Sequence, residues 1–156
     1  MWRRLTMFIG TMLLAWAASA AEPDMSGVWV YTAKDSYWST NDLPATFSLT
    51  IDMKLSADKI VYSSVNDSDK NKIGRLSFVA PLDGTVTPID NQARYNQVSV
   101  KRTGPGELEI VQYLNGDVIV ASFYTFRDDG KTMVRRGVGK SPEGKSKAYQ
   151  EYFLRK

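Results

Sequence analysis

Neither cysteine nor histidine occurs anywhere in these 156 residues. Their absence rules out Ser-His-Asp and Cys-His nucleophilic systems, thiolate zinc sites and histidine-ligated haem. No disulfide can form and no cysteine can carry a lipid, so burial of a core must hold the fold, which is feasible at this length. Beyond residue 20 there is no apolar stripe at helical spacing long enough for a crossover helix, which argues against parallel βαβ architecture. Internal repeats, low-complexity tracts and interdomain linkers are missing too, and one domain is expected.

The first twenty residues stand apart from the rest. Arg3 and Arg4 precede an apolar run over 5–17, and Ala18-Ser19-Ala20 follows it. This is the pattern of a signal peptide spanning 1–20, with cleavage after Ala20 and a domain of residues 21–156 in the periplasm or secreted. The apolar run is shorter than the ~20 residues a spanning helix needs, so no stable membrane anchor is expected. Loss of Arg3 and Arg4 leaves 18 basic residues against 17 acidic ones. That near balance, together with export, argues against nucleic acid as a partner. The charge is uneven, however: residues 131–156 carry eight Lys or Arg against Glu143 and Glu151.

Alternation with period two dominates from residue 26 onward. Phe47, Leu49, Ile51, Met53 and Leu55 alternate with Ser48, Thr50, Asp52, Lys54 and Ser56, the signature of a half-buried strand. The same pattern predicts strands near 27–32, 45–56, 59–66, 73–80, 96–103, 107–114, 117–127, 132–140 and 147–155. Glycine-bearing turns separate several of them, and Asn115-Gly116 is the strongest hairpin signal because it leaves two residues between strands, as a type I′ turn requires. An all-β fold follows: an antiparallel up-and-down barrel of about eight to nine strands, which also removes exposed edges. Residues 33–44 show no periodicity and are expected to form a folded loop at the barrel mouth.

Gly27-Val28-Trp29 stands on the first strand, and the chain closes with Tyr152-Phe153-Leu154-Arg155. This pairing resembles the lipocalin pattern. The later segments Pro81-Leu82-Asp83-Gly84, Val98-Ser99-Val100-Lys101-Arg102 and Asp129-Gly130-Lys131-Thr132-Met133 are similar to secreted bacterial lipocalin-like proteins of the calycin superfamily whose function is unknown. The resemblance implies that Trp29 closes the barrel floor and is covered by Arg155. The chain departs from typical lipocalins in lacking their disulfides and in reading as strand, not helix, at its end, so no particular lipocalin ligand carries over.

Other motifs dissolve on inspection. Asp67-Ser68-Asp69-Lys70-Asn71 lacks the glycine and distal glutamate of a calcium loop and reads as a hairpin tip. Gly104-Pro105-Gly106 and Gly137-Val138-Gly139 lack the helix and lysine of a phosphate loop. Neither a metal nor a cofactor is expected, and no catalytic residue stands out. Adjacent strand residues point to opposite faces, so one of Arg135 and Arg136 should face inward, and alternation with Val134 and Val138 favours Arg136.

These residues point to a non-catalytic, exported binding protein, not an enzyme. It would hold a small apolar or amphipathic ligand against Trp38, Phe47, Tyr62, Phe78 and Tyr124, with Arg136 as polar anchor. One rival is a filled barrel acting as a macromolecule-binding envelope or inhibitor module. Another is a cofactor-free isomerase or cyclase built on tyrosines and carboxylates.

Overall fold

A computed structural model describes residues 23–90, 94–141 and 143–156. The expected signal peptide, residues 1–20, lies outside the described residues. The chain forms β1 (Gly27–Trp38), β2 (Leu49–Leu55), β3 (Lys59–Asn66), β4 (Gly74–Pro81), β5 (Thr87–Pro88), β6 (Gln97–Gly104), β7 (Glu107–Leu114), β8 (Asp117–Phe126), β9 (Thr132–Lys140) and β10 (Ser146–Arg155). Among the described residues there is no helix.

All ten strands belong to one antiparallel sheet in the order β4-β3-β2-β1-β10-β9-β8-β7-β6-β5. Each strand pairs with the next in sequence except β4 with β5, and one further pairing joins the two ends of the series. The first and last strands meet, with Trp29 opposite Arg155, and this brings the sheet round into a barrel. Between β4 and β5 no ladder forms. Instead the chain reverses after Pro81 and climbs beside β6, with the Gly84 amide donating to Val100 O (2.9 Å) and the Arg102 amide to Leu82 O (3.0 Å). The result is a nearly closed barrel with one seam, across which Phe78, Ala80, Leu82 and Val98 join the common core.

Two expectations need correction. There are ten strands, not eight or nine, because β5 is two residues long and leaves no periodic trace in the sequence. Residues 33–44 are not all loop, since β1 runs to Trp38. A bulge between Thr32 and Tyr37 shifts the register before the strand rejoins β10 at Tyr37 opposite Gln150 and Trp38 opposite Tyr149. Ser36 pins that bulge by donating to Thr32 O (2.8 Å) and accepting the Tyr152 amide (2.9 Å). Extra residues in a bulge break the alternation by which a strand is recognised.

The Asn115-Gly116 turn has positive φ at both residues, 52° and 89°, the type I′ geometry that matches strand twist. At the floor, Trp29 is fully buried and meets Phe126 edge-on at 5.2 Å between ring centroids. The Arg155 guanidinium lies 4.7 Å from the Trp29 ring centroid and pairs with Asp24 at 3.1 Å. Gly27 beside it has a φ of 137°, a backbone conformation that side chains rarely adopt, and this calls for glycine there. Above this floor Ile51, Met53, Ile60, Val98, Val100, Met133 and Phe153 are all 0% exposed, so the lower half of the barrel is solid.

Candidate functional site

Nearer the mouth the lining changes from aliphatic to aromatic. β10 turns Lys147, Tyr149, Glu151 and Phe153 inward, and opposite them β3, β4 and β8 contribute Tyr62, Phe78 and Tyr124. Tyr62 and Phe78 are cross-strand partners that stack nearly parallel at 4.7 Å. Tyr31 of β1 meets Phe47 edge-on at 4.7 Å, and Phe47 in turn meets Trp38 at 5.2 Å. Phe47 belongs to the segment between β1 and β2, so residues 39–48 fold down onto the barrel rim through that ring.

At the centre of these rings sits an ion pair. Glu151 is 2% exposed, and Arg135 Nε donates to its Oε2 at 2.9 Å, with a second guanidinium N–H on the same oxygen. The other carboxylate oxygen accepts the Trp38 indole N–H at 3.0 Å. Arg135 also lies over the rings of Tyr149 (5.1 Å) and Phe153 (5.8 Å). A buried charge needs this density of partners, because solvent no longer stabilises it. Tyr149 is held in turn by Ser122, their hydroxyl oxygens 2.6 Å apart.

Arg136 is therefore not the inward arginine. It is exposed on the outside of β9, donating from Nε to Gln150 Oε1 at 2.7 Å. Val134 and Val138 share its outward face. Val138 stands in solvent, while Val134 is covered between its cross-strand neighbours Tyr152 and Thr125. Trp38, Phe47, Tyr62, Phe78 and Tyr124 all line or cap the mouth half, and Gly27, Trp29 and Arg155 lie together at the floor. Sequence reasoning missed Glu151, Tyr149, Ser122 and Tyr31. Strict alternation along 147–153 was the available signal, since it places Tyr149, Glu151 and Phe153 on one face.

Burial raises the pKa of Tyr62, Tyr124 and Tyr149 above the usual phenol value, Tyr124 most of all because Tyr62 adds to the effect. Burial likewise lowers the Lys147 amine to about 8, against the pull of Glu151 and Asp42. The tyrosine shifts carry a sign for stability. In the unfolded chain phenols ionise near ~10, while in the fold these three keep their protons, so the folded state binds more protons and loses stability as pH rises past that value. In an alkaline titration followed by tyrosinate absorbance and circular dichroism, these three hydroxyls are expected to ionise only together with loss of the fold. Smooth ionisation of all eight tyrosines with native dichroism intact would show that the three are not buried.

No family model and no curated protein matches the chain in sequence. Solved structures do match in shape. An S-type phycobiliprotein lyase from Guillardia theta superposes with a TM-score of 0.51 at 14% identity, covering 85% of this chain and 88% of the lyase. A zebrafish ileal bile acid-binding protein complexed with cholic acid gives a TM-score of 0.48 at 12% identity, over 84% of this chain and 97% of that one. The first of these likenesses is one of fold, an antiparallel β-barrel, and goes no further than that.

Proposed function

We propose that this protein is an exported, non-catalytic carrier that takes a small apolar or amphipathic molecule into the mouth half of its barrel. The observation behind this reading is the cluster of Tyr31, Phe47, Tyr62, Phe78, Tyr124 and Tyr149 rings in the mouth half, above an aliphatic floor, with the Arg135 charge among them already met by Glu151. Such a wall favours a flat, largely apolar ligand without a net charge, and leaves phenol hydroxyls for orientation. Barrels of about this size hold one small ligand when side chains do not fill them. The absence of histidine and cysteine supports binding over chemistry. Export rests on the sequence pattern of residues 1–20.

Native mass spectrometry of protein purified from the periplasm, followed by denaturing extraction, tests the reading. The expected result is a chain cleaved after Ala20 that carries a stoichiometric adduct, lost or weakened by Trp38→Ala. The reading fails if the mass is that of bare protein and added apolar probes do not bind. That outcome would favour a second reading, contact with a macromolecule through the outer face, where Phe123 and Val138 stand about half exposed on adjoining strands.

A further inference from the structure

Every lysine of the chain is exposed except Lys147, which is half-buried. It lies on the inward face of β10, two residues from Tyr149 and four from Glu151, at the rim end of the aromatic cluster. Its ammonium rests on the face of the Trp38 indole. Asp42, from the segment after β1, and Glu151 act on it from one sign of charge, and Arg94, from the segment before β6, and Arg135 from the other. A primary amine on the inward face of a strand, half-buried beside aromatic rings and partly stripped of water, is the arrangement that turns lysine from a solvated cation into a nucleophile.

We propose that Lys147 is a carbonyl-capture site, at which an aldehyde or ketone carried in the barrel forms an imine with the side-chain amine. This rests on the carrier reading and names the ligand class for that site. The amine first gives up its proton to solvent. Its lone pair then attacks the carbonyl carbon, the C=O π electrons move to oxygen, and a proton passes through solvent from that nitrogen to the oxygen to give a neutral carbinolamine. That hydroxyl then takes up a proton from solvent and the nitrogen lone pair expels it as water, leaving a protonated C=N bond. Carbonyl compound plus amine becomes imine plus water, with no oxidant or reductant required. The product is again a cation, so the Trp38 ring face and the Asp42 and Glu151 carboxylates that accommodate the ammonium stabilise it as well. Burial assists the first step. An amine titrating at about 8 has roughly two hundredfold more free base at pH 7 than a lysine at ~10.4.

The test treats the full mature chain with naphthaldehyde and cyanoborohydride at neutral pH, maps the reduced adducts, and measures binding of naphthylmethanol, which has the same ring but no carbonyl. Lys147 is expected to be labelled at least tenfold faster than any other lysine, and naphthylmethanol to slow that labelling. Lys147→Met is expected to abolish the fast phase while still binding the alcohol. If that variant does not fold, Lys147→Arg keeps the cation and removes the imine-forming amine. Alcohol binding with labelling spread evenly over the exposed lysines would overturn the imine and leave the carrier intact. Absence of both binding and selective labelling would overturn the two together.

Discussion

Replacing Glu151 by leucine is expected to lower the unfolding free energy by about 3–5 kcal/mol, and adding Arg135→Met to recover most of that loss. The carboxylate is 2% exposed and accepts from both Arg135 and Trp38, so its removal strands a guanidinium that cannot shed its proton. Tyr149 and Phe153 contact the guanidinium through their ring faces, but a cation–π contact contributes about 0.5–2 kcal/mol and cannot replace a carboxylate. Methionine at 135 removes the stranded charge and is adaptable enough to pack between the same two rings. Urea unfolding of the single and double variants measures both terms. A loss below ~1 kcal/mol for Glu151→Leu alone would mean that the pair is as weak as one on the surface. The double variant also bears on the proposed carrier role: if the ion pair serves only the fold, apolar probes should bind the double variant and the natural chain alike.

Gly137→Ala should be nearly as damaging, at about 3 kcal/mol or more. A Cβ at 137 would lie 2.4 Å from the Ala121 carbonyl oxygen and 2.6 Å from the Tyr149 hydroxyl. The tyrosine ring crosses β9 directly over this glycine to reach Ser122, so the substitution expels the ring and breaks the hydroxyl bond. Tyr149→Ala in the same chain should recover only part of the loss, because the clash with the Ala121 backbone remains. Gly139→Ala is the matched control. Its Cβ would meet Val120 Cγ2 at 3.3 Å, a side chain able to give way, and a cost under ~1 kcal/mol is expected. Equal costs at 137 and 139 would show that the effect belongs to glycine in a strand and not to the ring packed over it.

The two variants concern the strand that sequence reasoning read least well. In β9 the inward set is Met133, Arg135, Gly137 and Gly139, while Thr132, Val134, Arg136 and Val138 face out. Judged by hydrophobicity the outward set looks like the core. The inversion arises because β10 fills the interior from its own side. Tyr149 occupies the space of a side chain at 137, and Glu151 supplies the charge that permits an arginine at 135. A strand's two faces follow from its own residues, but which face is inside depends on what its neighbours place there.

By itself the sequence determined the all-β antiparallel class, the positions of eight of the ten strands to within a few residues, the start of β1, and the Asn115-Gly116 hairpin. Each rests on local information: alternation along a strand, or the φ values a turn demands. It also ruled out histidine- and cysteine-based chemistry, because composition alone decides that. Only the tertiary structure decided the inward arginine, the bulge that carries β1 on to Trp38, the seam between β4 and β5, and the meeting of Trp38 with Glu151, 113 residues apart. Those features are pairings between distant segments, set by register and by competition for one interior, and a reading of neighbours along the chain carries no trace of them.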